Sequence, residues 1–268
     1  MAEISIVMAY HNRKEQLIRT LNSIEMSKKK SLIEVIIVDD GSDEYNNISN
    51  INNYFSFPIK VIELKKEDKW YSNPCVPYNI GFNNSDGDVI IIQNPECLHV
   101  GDIISHVDDY LGDNEYISYA TYSLDKPNTK KLDDITLKSG NIMKKIKPLK
   151  MEPHKMEGDN GWYNHSVVRP KGYHFCSAIT KENLLGKLNG FDERYAEGIA
   201  FDDDELLVRI GRLGLDMTIY DTPMVLHQWH TTGNSFRGED SFSQKLQRNQ
   251  QLFYNVTKKE KTYKVNIK

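Results

Sequence analysis

The run Val89-Ile90-Ile91-Ile92, followed at once by Gln93-Asn94-Pro95-Glu96-Cys97, limits the folds open to this chain more than any other stretch. Four consecutive aliphatic residues behind Gly87-Asp88 read as a strand covered on both faces, the pattern of a parallel sheet inside an α/β protein. Such a strand cannot run on through Gln, Asn, Pro and Glu and stay in the core. An ionised carboxylate buried without a partner costs on the order of several kcal/mol. Glu96 is therefore expected where the strand leaves the sheet, at its carboxyl edge, and that edge is where open α/β sheets place their ligands.

The rest of the first hundred residues alternates strand and helix. Ile4-Ser5-Ile6-Val7-Met8-Ala9 reads as a strand that stops at Tyr10-His11-Asn12-Arg13, and Leu17, Ile18, Leu21 and Ile24 mark the buried stripe of a following helix. Residues 33–38 and 59–64 read as further strands, the first ending in Asp39-Asp40-Gly41-Ser42. Residues 65–78 form a polar and aromatic loop, and Tyr78-Asn79-Ile80-Gly81-Phe82 starts or lines a short helix. This order implies a mostly parallel sheet with right-handed crossovers.

Beyond it, helices are expected over 101–111, 181–188 and from Leu206 to Leu213. Strands are expected over 116–122, 173–180, 215–220 and 223–226, and an amphipathic tail over 242–255. The lysine-rich stretch 124–155 has weak periodicity and reads as an excursion or lid. With 39% hydrophobic and 27% charged residues the chain is globular. A net charge of −4 excludes nucleic-acid binding through bulk electrostatics. No apolar run reaches the roughly 18 residues of a membrane span, and the start has no secretory leader pattern. The three cysteines lack metal-site spacing, and Cys97 and Cys176 read as packed thiols in a reducing, cytoplasmic setting.

Polar clusters sit at four strand ends: residues 10–13, Asp39-Asp40, Asn94–Glu96 and His227–His230. An acidic helix start, Asp202-Asp203-Asp204-Glu205, makes a fifth. Acids at a helix start serve as caps and complement its dipole, but four in succession repel one another and exceed that need. Glu96 with His227 or His230 offers oxygen and nitrogen donors for a divalent cation, Mn²⁺ or Mg²⁺; the plain alternative is that these histidines hydrogen-bond locally near Trp229. Asp40 reads as an acceptor for a base N–H or as the start of an Asp-Gly turn, and Arg13 as a phosphate partner or a solvated helix start. An aromatic and basic group, Trp162, Tyr163, His165, Arg169, Tyr173 and His174, together with Trp70, suits a ligand held on aromatic faces or ordinary loop packing equally.

Residues 6–13, Val38-Asp39-Asp40-Gly41-Ser42, Asn79-Ile80-Gly81-Phe82, Gly190-Phe191-Asp192-Glu193 and Asp202-Asp203-Asp204-Glu205-Leu206 with Arg209 occur in an order and spacing that resembles a GT-A glycosyltransferase of family 2, over roughly residues 3–230. The acidic stretch with its trailing arginine is also similar to the β-1,4-galactosyltransferases. The resemblance implies a GT-A (Rossmann-like) α/β fold, a mixed and mostly parallel sheet flanked by helices. It implies a nucleotide-sugar half (1–98), an acceptor-binding and catalytic half (99–230, with 124–172 as a flexible excursion) and a helical tail (231–268).

By the same resemblance, Ala9, Tyr10, His11, Arg13, Asp40, Asn79 and Asn94 hold the nucleotide of a UDP-sugar or similar donor. The family's Asp-x-Asp metal motif falls on Asn94-Pro95-Glu96, which has one carboxylate where the family has two. A late metal-binding histidine falls on His227 or His230, and the catalytic base on Asp203 of the Asp202-Asp203 pair. The implied activity is inverting transfer of a sugar to a hydroxyl of a glycan or small acceptor by a cytoplasmic enzyme, peripheral to a membrane where glycans are assembled. The alternative is a non-catalytic nucleotide-sugar-binding module with a degenerate metal motif. A hydrolase with paired carboxylates would not need the Asp40 and Arg13 clusters. Strand 116–122 and the lysine-rich excursion are candidate surfaces for a homodimer.

Overall fold

A computed structural model describes residues 2–132, 142–146, 149–156, 158–173, 175–231, 241–259 and 265–266. Strands β1 (Ile4–Tyr10), β2 (Ile33–Asp39), β3 (Ile59–Glu63) and β4 (Val89–Gln93) run parallel in the order β3-β2-β1-β4. β1 shows why both faces must be apolar. Ile4, Ile6 and Met8 face one core with Leu17, Leu21 and Ile24 of α1 (Lys14–Glu25), while Val7 faces a second core with Phe82 of α2 (Cys75–Asn83). α2 lies so close to the sheet that a Cβ on Gly81 would sit 2.4 Å from Val7 Cγ1, so only glycine fits there.

The second half continues the same sheet. β8 (Cys176–Thr180) pairs antiparallel with β4 on one side and with β6 (Glu115–Ser123) on the other. β9 (Asp216–His227) runs parallel to β6, and β5 (Cys97–Val100) closes the edge antiparallel to β9. The described sheet has nine strands in the order β3-β2-β1-β4-β8-β6-β9-β5, with β7 (Gly161–Asn164) pairing off β6. Around it lie α3 (Ile103–Tyr110), the short turns α4 (Lys126–Thr129) and α5 (Ile142–Ile146), α6 (Asp202–Leu213) and α7 (Phe242–Lys259). The result is the mixed, mostly parallel α/β architecture expected of a GT-A fold. Among the described residues no helix is long and apolar enough to cross a membrane.

Several expectations change. The strands read at 215–220 and 223–226 are one strand, because a register shift opposite Tyr119 and Ala120 absorbs Asp221-Thr222-Pro223. Strand 173–180 begins only at Cys176. Residues 116–122 lie in the sheet interior, bonded to β8 and β9, so that strand has no free edge for a dimer contact. The stretch 124–172 is not an unpacked excursion where it is described. Leu124, Leu132, Ile142, Ile146 and Trp162 are buried with Leu98, Ala120, Tyr122 and Leu226 in a third core.

Candidate active site

β1, β2, β4, β6 and β9 point the same way, so their carboxyl ends share one edge of the sheet. Along that edge opens a cavity of about 350 Å³. Ala9, Tyr10, His11, Arg13, Asp40, Asn94, Asp202 and Asp203 all line it, though they come from four separate places in the chain. Tyr10 contributes little polarity, since its hydroxyl donates to Asn46 O (2.7 Å) in the core. His11 leaves its buried Nδ1 without a hydrogen-bond partner at the wall. Asp40 accepts from the Tyr71 hydroxyl (2.6 Å) and pairs with the Lys69 ammonium, while Asp39 ties off the turn by accepting from Ser42 N (2.9 Å).

Asn79 is not among the cavity's lining residues. Its amide donates to Phe191 O (2.9 Å) and Glu193 Oε1 (3.0 Å), and its Oδ1 accepts from Phe191 N (2.8 Å). Gly190, at φ +72°, brings that turn so near that a Cβ would meet Asn79 Oδ1 at 2.4 Å. The Asn79 side chain therefore holds the Gly190-Phe191-Asp192-Glu193 turn onto α2, which accounts for both motifs without a ligand.

Glu96 sits where β4 leaves the sheet and is 1% exposed. Both its oxygens accept from Arg13 Nη1 at 2.9 Å. His227 Nε2 and His230 Nε2 approach Oε1 at 3.2 and 3.5 Å. Burial alone would raise the Glu96 pKa; the Arg13 charge and the two histidines outweigh it and hold the carboxyl well below its ordinary range. Burial lowers the His227 pKa against the pull of Glu96, which favours a neutral ring with a lone pair to offer. The donor atoms of Glu96, His227 and His230 lie within 4.8 Å of one another, so this triad fits a divalent cation once Arg13 withdraws. Asn94 Oδ1 accepts from the Tyr78 hydroxyl (2.9 Å), and its Nδ2 faces Glu96 at 3.5 Å. It stands beside the carboxylate with its oxygen already engaged.

The four acids at the start of α6 sort by partner. Glu205 is buried against Arg209 through two bonds of 2.6 and 2.7 Å, and Arg209 also donates to Leu188 O (2.6 Å). Asp204 accepts from the Tyr173 hydroxyl (3.2 Å), and Asp202 from Asn73 Nδ2 (2.7 Å). Asp203 accepts from Asp204 N (2.9 Å) and borders the cavity. Burial, then the charges of Asp202 and Asp204, push the Asp203 pKa up to about 8. Burial also raises Asp202, against the bond from Asn73. Two consecutive residues in the left-handed region, Ala200 (φ 58°) and Phe201 (φ 67°), aim this helix start. Such a conformation costs non-glycine residues roughly 1–2 kcal/mol each.

The aromatic and basic group divides. Trp162 is core, edge-on to Tyr122 at 4.9 Å, and His165 packs on Trp162 at 4.5 Å while its Nδ1 accepts from Val167 N and Val168 N. Arg169 pairs its backbone with His165 and reaches His154 O (3.4 Å). These side chains close a turn, so packing rather than ligand contact explains them. Tyr163 stacks on Phe175 at 5.0 Å and meets His227 edge-on at 5.1 Å, between the cavity wall and the cation triad. Trp70 is 57% exposed, packs edge-on to Tyr71 and does not line the cavity. His174 lies outside the described residues.

Lys69, Ser72, Asn73, Tyr78 and Phe175 also line the cavity, and sequence reasoning did not single them out. Four belong to the stretch 69–78, held in place by bonds from Ser72 N and Asn73 N to Ala196 O (2.8 and 2.9 Å). Their only sequence signal was the crowding of polar and aromatic residues after β3.

Residues 5–167 match the glycosyl transferase family 2 domain. The chain is 29% identical over 101 residues to the poly(ribitol-phosphate) beta-N-acetylglucosaminyltransferase TarP of Staphylococcus aureus (strain N315); the aligned part covers 37% of this chain and 30% of that protein. It is similar in fold to S. aureus TarS 1-349 in complex with UDP-GlcNAc, with a TM-score of 0.62, 11% identity and coverage of 99% of this chain and 68% of that one. It is likewise similar to the mannosyltransferase PcManGT from Pyrobaculum calidifontis in complex with GDP-Man and Mn²⁺, with a TM-score of 0.56, 14% identity and coverage of 86% and 58%. The chain thus matches under a third of the length of the curated relative. The sheet edge gathers the first-strand tail, Asp40 and Asn94 of the matched region around one cavity with Asp203, while Glu96 lies behind Arg13 and outside the lining; the chain belongs to glycosyl transferase family 2, with a GT-A fold.

Proposed function

We propose that this glycosyltransferase moves a sugar with inversion from a nucleotide-diphosphate sugar, with a UDP-sugar favoured, to a hydroxyl of a glycan or small acceptor. The observation that carries the reading is the single cavity between the Asp40 and Arg13 end and the Asp202–Asp203 end. It has Arg13 and Lys69, each paired with a carboxylate, on the side for a diphosphate and the Asp202–Asp203 carboxyls on the side for an acceptor proton. The complex of TarS with UDP-GlcNAc supports the donor class. Asp203 removes the acceptor hydroxyl proton as that oxygen attacks the anomeric carbon from the face opposite the diphosphate, and single displacement inverts the centre. Asp202, fixed by Asn73, keeps its neighbour a strong base. Lys69 and Arg13 face the diphosphate side and stabilise charge on the leaving group. A divalent cation, Mn²⁺ or Mg²⁺, held by Glu96, His227 and His230 would supply further positive charge there. An acceptor that is a growing surface glycan places the chain in the cytoplasm beside a membrane. A non-catalytic binding module would give Asp203 no task.

Calorimetric titration with UDP-GlcNAc, with Mn²⁺ and then with chelator, tests the donor and the cation. The expected result is binding that weakens at least tenfold in chelator. Equal affinity in both would remove the metal from the reading, and no affinity for any nucleotide sugar would remove the donor.

A further inference from the structure

The left-handed pair Ala200-Phe201 is held by a part of the chain that lies outside the matched family domain. Asn249, on α7, is fully buried. Its Nδ2 donates to Ala200 O at 2.8 Å and to Tyr195 O at 3.1 Å. Gly198 makes the room: a Cβ there would lie 2.0 Å from Asn249 Oδ1. One turn earlier on α7, Lys245 is buried and donates to Ser72 Oγ (3.0 Å) and Glu197 O (3.4 Å), while Ile199 N bonds Lys245 O (3.3 Å). Phe253 packs on Phe201 at 5.6 Å. The tail helix therefore grips the segment 195–201 and touches the cavity wall at Ser72.

We propose that Asn249 is a positioning residue for Asp203: by holding the Tyr195 and Ala200 carbonyls it keeps Ala200-Phe201 left-handed and aims the start of α6 into the cavity. The proposal rests on reading Asp203 as the base. Two side-chain N–H groups on two carbonyls of one loop fix its orientation as well as its place, and nothing smaller than asparagine spans both. Alanine at 200 has no intrinsic preference for its conformation, so without the clamp the loop relaxes and the helix start turns outward. Asp202 and Asp204 move with Asp203 on the same helix, so what Asp203 loses is its burial, the largest cause of its raised pKa, beside Tyr173 and Tyr116 on the sheet side.

Urea unfolding of the full chain tests this without a substrate. Parent, N249A and N249A/A200G are compared between pH 5.5 and 7.5, each with and without D203N. In the parent, the ratio of unfolding constants with and without D203N should change about tenfold per pH unit, since Asp203 is the ionising group that the substitution removes, while groups present in both proteins, Asp202 included, enter both constants. In N249A the ratio should change less than about threefold per pH unit. Adding A200G should restore the tenfold dependence, because glycine enters the left-handed conformation without the cost that alanine meets there. An N249A chain that keeps the tenfold dependence, or a double variant that does not regain it, overturns the proposal; if N249A alone does not fold, the double variant decides. Full transfer by D203N would remove the base assignment and leave this dependence untouched, so the two failures are distinct.

Discussion

Replacing Asp203 by asparagine should make the protein inactive and more stable, and the gain should depend on pH in a defined way. In the folded chain the Asp203 pKa is pushed up to about 8, from an ordinary 3.8. A carboxyl raised on folding binds a proton in the folded state that the unfolded chain has already lost. Its destabilising effect is therefore absent below pH 3.8, grows between the two values and is complete above about 8. The slope in that window is about 1.4 kcal/mol per pH unit, and the whole span sets a ceiling of roughly 6 kcal/mol. Asparagine titrates nowhere, so the advantage of D203N over the parent should widen by about 1.4 kcal/mol for each unit between pH 5 and 7.5, or roughly 3–5 °C in Tm per unit. Urea midpoints of the two proteins at four pH values measure it. With Asp203 as the proposed base, kcat/KM of the parent should rise about tenfold per pH unit up to 8 and then level off. An offset that does not change with pH, or a rate flat from pH 6 to 9, would refute the assignment of a raised pKa to the base.

Two further substitutions separate roles that the residues share. R13Q leaves Glu96 buried without its strongest partner and should cost about 3–5 kcal/mol, a loss that Mn²⁺ restores more fully in the variant than in the parent; thermal scans with Mn²⁺ and with chelator check it. Equal responses to Mn²⁺ would show that Arg13 and the cation do not compete for the carboxylate. N79A removes the bond to Phe191 N and one of two bonds to Phe191 O, which keeps Asn266 Nδ2 at 2.7 Å, and should cost roughly 1–3 kcal/mol, while nucleotide affinity at a temperature where the variant is folded stays within about twofold of the parent. A selective loss of affinity in that variant would restore Asn79 to the binding site.

What could be read from the sequence follows from how local the cause is. β1, β2 and β4 are runs of aliphatic residues, so their identity needs no partner, and the polar break at Asn94-Pro95-Glu96 marks the sheet edge by itself. β5 and β7 are four residues each and gain their strand character from β9 and β6, which no window of sequence contains. At the site, Asp203, His227 and Arg13 stood out by residue type at a strand or helix end. The bond from Arg13 to Glu96 joins residues 83 apart, and composition cannot say that the guanidinium lies on the carboxylate before any ligand does. Trp162 and His165 show the converse: an aromatic and basic cluster has the same composition whether it binds a sugar or fills a core.

The place of β8 bears on how the chain can be cut. Residues 5–167, the matched domain, end before Cys176–Thr180, yet that strand is the seam joining β4 to β6. A fragment with those boundaries would expose one whole edge of β4, the β9 edge of β6 and the part of its other edge that β7 does not cover, apolar ribbons ready to pair with a neighbouring molecule. It would precipitate rather than fold as a smaller enzyme. In the intact chain, amide protons of β4 and β8 should exchange with solvent together and last, because neither side of the seam can open while the other remains closed.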